Sequence, residues 1–124
     1  MSYIWIISIT DEGETRCYMN MSFKTKHKSK VGKYIRKNIS QFVNVFSWIK
    51  SFGLYGSNVA KIQEKLEDFT DMDEDDENVI EQLREMLEEF SDEEIVDEIN
   101  LCADQGKERS ITIIKVPAKE TIIL

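Results

Sequence analysis

The chain has 124 residues, 41% of them apolar and 32% charged, with 16 basic against 24 acidic side chains and a net charge of −8. Those totals suit a single globular domain over residues 1–124 and exclude a fibrous or low-complexity chain; the acidic balance is unlike that of a basic nucleic-acid-binding domain. Cys17 and Cys102 stand far apart, with no CxxC or Cys/His spacing, which is the cysteine usage of a reducing compartment.

The charge is split along the chain. Residues 1–63 carry +7, residues 64–98 carry −16, and the remainder carries +1. The stretch from Glu64 to Glu98 holds 18 of the 24 acids, with Lys65 and Arg84 as its only bases. Within it Leu66, Phe69, Val79, Ile80, Leu83, Met86, Leu87, Phe90, Ile95 and Ile99 recur at helical spacing. A disordered acidic tail lacks that period. The stretch therefore reads as folded helices, each with one acidic face.

In chain order, Tyr3–Thr10 is rich in β-branched and aromatic residues, and Asp11–Glu14 follows as a turn. Arg16–Phe23 alternates, with Cys17, Met19, Met21 and Phe23 on one side and Arg16, Tyr18, Asn20 and Ser22 on the other. This pattern predicts a β-hairpin whose first strand, apolar on both sides, lies inside the sheet and is partly covered on each face. From about Lys30 to Phe52 the apolar residues fill more than half a helical wheel, which predicts one central helix with Ser29 as its cap and Gly53 past its end. Ser57 or Asn58 caps a further expected helix to about Phe69, and another runs from about Glu77 to Phe90. Ser91-Asp-Glu-Glu94 is a capping box, with Phe90 and Ile95 at the staple positions, opening a short helix to about Cys102. Ser110–Val116 reads as a strand, Pro117–Glu120 as a turn and Thr121–Leu124 as a last short strand. The element order ββ-αααα-ββ gives the α+β class: an antiparallel sheet of three to four strands covered by about four helices.

Chemistry-bearing motifs are sparse. Asp71, Asp73 and Asp75 match the first ligand positions of a calcium loop, but Asp76 stands where glycine is needed and Gln82 where the bidentate glutamate belongs. His27 is the only histidine, so a shared zinc site has no second one, and a thiol dyad with Cys17 lacks an orienting partner. No phosphate-binding glycine loop or nucleophile elbow occurs, so neither an enzymatic activity nor a cofactor nor a metal is expected.

Two charged surfaces remain. One is the acidic face: Asp71, Asp73, Glu74, Asp75, Asp76, Glu77, Glu81, Glu85, Glu88, Glu89, Asp92 and Glu93, extended by Asp97 and Glu98. Carboxylates one helical turn apart lie roughly 5–6 Å from each other, a surrogate for a row of phosphates. The other is the basic segment Lys24, Lys26, Lys28, Lys30, Lys33, Arg36 and Lys37, which suits phosphates or another anionic ligand at a helix start. It equally suits loose pairing with acids of its own chain.

In outline (small, acidic, without a catalytic motif) the chain resembles phage and viral anti-defence proteins, including anti-CRISPR and DNA-mimic anti-restriction proteins. The resemblance rests on no motif and carries over no residues. It implies an inhibitor that occupies the basic, nucleic-acid-binding surface of a host protein; the alternative is a small nucleic-acid or anion-binding module using residues 24–37. The charge split also allows a homodimer. No leader pattern is present and Tyr3–Ile9 is too short to span a bilayer, so a cytoplasmic protein without a membrane partner is expected, in the host cell if viral.

Overall fold

The computed structural model of the chain describes residues 3–11, 16–51, 60–69, 76–103 and 109–117. Strands β1 (Tyr3–Asp11), β2 (Arg16–Phe23) and β3 (Arg109–Pro117) form one antiparallel sheet in the order β2-β1-β3. The first strand is central, as its apolar character on both faces requires. The register pairs Ile7 with Met21 on one side and with Ile113 on the other. It shifts by one residue between Ile9 and Thr10, where Tyr18 is the extra residue of β2.

Among the described residues five helices accompany the sheet: α1 (Lys28–Lys37), α2 (Val43–Ser51), α3 (Lys61–Leu66), α4 (Glu77–Leu87) and α5 (Asp92–Ala103). Trp5, Ile7 and Ile9 of β1 face the core, buried beside Ile111 and Ile113 of β3. Ile4, Ile6 and Ser8 on the other face of β1 are half-buried, and Ile114 is exposed. One hydrophobic cluster joins the core face of the sheet to Val31, Ile35, Phe42, Phe46, Ile49, Leu66, Leu83, Leu87, Ile95 and Ile99. The α+β class, an antiparallel sheet covered by helices, is therefore as the hydrophobic pattern predicts, with five described helices where about four are expected. The expected final strand, Thr121–Leu124, lies outside the described residues, as does Gly53.

The single helix expected over Lys30–Phe52 is two helices. Asn38 leaves the helical region, with φ −123° and ψ 40°, and its side-chain amide donates to the Tyr34 carbonyl at 2.9 Å. A 3₁₀ turn at Ile39–Gln41 follows before α2 begins. The over-wide apolar arc on the wheel arises from projecting two helices with different axes onto one. Helix α1 buries Val31, Gly32 and Ile35; α2 contributes Val43, Val45, Phe46 and Ile49. Nor does Ser29 cap α1: the N-cap is His27, without a side-chain capping bond, and Ser29 lies inside the helix.

Helix α3 is also shorter than expected. Ala60 is extended and Lys61 is the first helical residue, so no helix runs unbroken from the proposed caps Ser57 or Asn58, which lie outside the described residues. An N-cap alanine has no oxygen to offer. Here the carboxylate of Glu98 accepts from the Lys61 amide at 2.9 Å, and the Gln63 side chain accepts from the Ala60 amide at 3.3 Å. Helix α5 thereby closes an end that α3 leaves open.

Candidate functional site

The acidic helices are held rigidly from below. Asp76 caps α4 by accepting from the Asn78 amide at 2.9 Å. Val79, Leu83, Met86 and Leu87 then bury one face of α4, while Glu77, Glu81, Glu85 and Glu88 point to solvent. The expected box closes α5 in both directions: the Ser91 amide donates to Glu94 at 3.0 Å and the Glu94 amide donates to the Ser91 hydroxyl at 3.1 Å. The Ser91 amide and hydroxyl together hold the Glu94 carboxyl below its ordinary range. Phe90 and Ile95 are both buried at the staple positions.

The joint between α4 and α5 is fixed by a residue of the basic segment. Arg36 donates to the Leu87 carbonyl at 2.8 Å, to the Phe90 carbonyl at 2.6 Å and to the Asp92 carboxylate at 3.0 Å. Two of those acceptors are carbonyls near the end of α4, where cations and donors are favoured. Lys28 adds a second tie, 2.7 Å from Asp97 on α5. Helices α1 and α5 approach so closely at Gly32 that an added Cβ would fall 1.7 Å from the Asp92 carbonyl oxygen. The basic and acidic parts of the chain are thus partly each other's partners.

The structure sorts the expected acidic residues into four groups. Asp71, Asp73, Glu74 and Asp75, and with them the calcium-like loop, lie outside the described residues. Asp76, Asp92 and Glu98 have structural work, and Glu98 is buried, which removes it from the exposed face assigned to it. Glu81 pairs with Arg84 at 2.5 Å and Glu89 with Lys65 at 2.7 Å, both at the surface. Glu89 accordingly raises the Lys65 ammonium above its usual range. Glu77, Glu85, Glu88 and Glu93 are exposed and have no cation partner among the described residues.

The basic residues divide in the same way. Lys28 and Arg36 are used internally, whereas Lys24, Lys26, Lys30, Lys33 and Lys37 are exposed without an acidic partner among the described residues. His27 is exposed, its backbone amide donating to the Thr25 hydroxyl at 3.1 Å. The Cys17 side chain lies outside the described residues, so no dyad with His27 can be drawn. Cys102 is a poor nucleophile: burial first, and the Glu98 charge second, push its thiol up to about 12, and Sγ donates to the Glu98 carbonyl. Among the described residues no three His, Cys, Asp or Glu side chains converge as metal ligands, and no helix is long and apolar enough to cross a membrane.

One further contact had no sequence signal. The Asn100 amide of α5 lies against the outer edge of β3, donating to the Ile113 carbonyl at 2.9 Å and accepting from the Ile113 amide at 3.0 Å. It does what a residue of a neighbouring strand would do. No protein-family model, curated protein or solved structure matches this chain.

Proposed function

We propose that this chain is a non-enzymatic inhibitor whose acidic helical face seats in the basic, nucleic-acid-binding surface of a partner protein. The supporting observation is the set Glu77, Glu85, Glu88 and Glu93: four exposed carboxylates without a cation partner among the described residues, on helices whose opposite faces close the core. Carboxylates on a packed and doubly capped frame are ordered before any partner arrives. Less freedom is then lost on docking than a flexible acidic tail would lose. A groove built for phosphates meets such a row with its lysines and arginines. The charge channels of restriction and RNA-guided nucleases are surfaces of this kind. The role we assign is that of a phage or viral anti-defence protein of the anti-CRISPR or DNA-mimic type, acting in the host cytoplasm.

The test is displacement of duplex DNA from a panel of restriction and RNA-guided nucleases, measured across a salt series. The chain should displace DNA from at least one of them, and increasing salt should weaken the effect. A variant with Glu77, Glu85, Glu88 and Glu93 all changed to Lys should lose it while keeping the parent's circular dichroism. Displacement that survives this charge reversal, or a panel in which no nuclease releases DNA, removes the reading.

A further inference from the structure

The two edges of the sheet are not equivalent. Asn100 occupies the edge of β3 at Ile113, bonding both its amide and its carbonyl. In an antiparallel ladder both groups of one residue point to the same side. Ile113 therefore points away from β1, and its partner Ile7 turns its amide and carbonyl toward β2, where it opposes Met21. Met21 faces back to β1. By the same alternation the amides and carbonyls of Asn20 and Ser22 face outward from β2, and among the described residues nothing bonds them. Their side chains are exposed as well. From Cys17 to Phe23 the strand carries no proline, glycine or charge, and its one edge-guarding irregularity, the extra residue Tyr18, stands before Asn20 and Ser22.

Several cations without an acidic partner among the described residues lie at one end of this open edge. Lys24 and Lys26 follow directly on Phe23, and both are exposed. The Phe23 ring packs edge-on against Tyr34 of α1 with centroids 5.0 Å apart, and Lys30 and Lys37 flank Tyr34 at helical spacings of four and three. The end of β2 is thus a strand edge beside four exposed lysines.

We infer that β2 is a docking edge for an extended, acidic segment of a partner protein, which adds to the sheet as a strand on Asn20 and Ser22 and places carboxylates beside Lys24 and Lys26. Main-chain bonds supply the attachment in this mode, and the charges select the occupant. The acidic helices leave these lysines uncompensated by direct contact: among the described residues, Lys28 is the one residue of 24–30 that forms an ion pair, with Asp97. In a second copy, β2 (residues 16–23) carries no acidic residue, so it offers nothing to Lys24 and Lys26. This surface is separate from the acidic face, and its test is independent of the inhibitor reading.

The probe is a fluorescent octapeptide of alternating Val and Glu, with the Val/Lys peptide as its opposite in sign, titrated against the full chain and followed by anisotropy and amide hydrogen exchange. Expected are binding of the acidic peptide about tenfold or more tighter than the basic one, weakening with salt, and slowed exchange at the Asn20 and Ser22 amides with Met21 unchanged. Ser22→Pro removes only an outward amide and is tolerable on an edge strand, so it should abolish binding with the fold kept. Lys24→Glu with Lys26→Glu should do so by charge. Equal binding of the two peptides, or no slowing at Asn20 and Ser22, overturns the inference even if Ser22→Pro fails to fold. So does a single-stranded oligonucleotide that binds wild type and Ser22→Pro alike, which marks a simple anion patch. Sedimentation showing a dimer that Ser22→Pro dissociates also overturns it, since the edge then belongs to a second copy.

Discussion

A methyl group at residue 32 would meet the Asp92 carbonyl oxygen at 1.7 Å, so the α1–α5 contact exists only because that residue is glycine. Inside an exposed helix, glycine to alanine stabilises by about 0.8–1 kcal/mol. Here the sign reverses. The neighbour is backbone rather than a flexible side chain, and overpacking of this kind costs about 1–3 kcal/mol or more. Gly32→Ala should therefore lower the urea midpoint, and a midpoint that rises would show that the helices separate freely. None of this was legible in the sequence, where Gly32 is one small residue in an apolar arc. The pairing of Arg36 with the α4–α5 joint was hidden for the same reason: it spans more than 50 positions and leaves no local pattern. Residues whose partners lie within a few positions were readable, as Ser91 and Glu94 demonstrate.

Whole elements follow the same division between local and distant causes. The hairpin, α4, α5 and the last described strand have periodic patterns and end signals of their own, and they stand within a few residues of where sequence places them. The break at Asn38 escaped because wheel counting cannot distinguish one wide helix from two narrower ones; the tell was an asparagine able to bond the carbonyl four residues back. The protected edge of β3 escaped because its plug comes from another layer. That plug carries a prediction about the sheet. Asn100→Ala leaves the amide and carbonyl of Ile113 without their partners, at a cost of about 1–3 kcal/mol if the edge stays closed. If it opens, an uncovered apolar strand becomes a template for other copies. The variant should melt lower and sediment as larger species with rising concentration, while Asn100→Gln retains part of the protection. A variant as stable and as monodisperse as its parent would show that Asn100 only decorates the edge.

For the molecule as a whole, the question is whether the acidic helices are electrostatically content as they stand. Among the described residues, ion pairs connect Lys28 to Asp97, Arg36 to Asp92, Lys65 to Glu89 and Arg84 to Glu81, and the last two are exposed on both sides. Exposed pairs contribute about 0.2–1 kcal/mol each, and salt weakens them. Against them stand like-charge neighbours one turn apart on α4, Glu77–Glu81 and Glu81–Glu85, each unfavourable by about 0.2–0.5 kcal/mol. The wider repulsion within a stretch of charge −16 adds to these local terms. Lowering the screening length from about 30 Å at 0.01 M salt to about 3 Å at 1 M suppresses the long-range repulsion more than contacts at 3 Å. The urea midpoint should therefore rise with salt, and Glu85→Gln with Glu88→Gln should flatten that rise. A midpoint that falls would mean that the ion pairs dominate and that the acidic face has little repulsion left to relieve. The same repulsion gives a cationic partner its leverage: seating a basic surface on Glu77, Glu85, Glu88 and Glu93 relieves what salt relieves. A Lys-rich peptide should accordingly raise the melting temperature at low salt and lose its effect as salt is added.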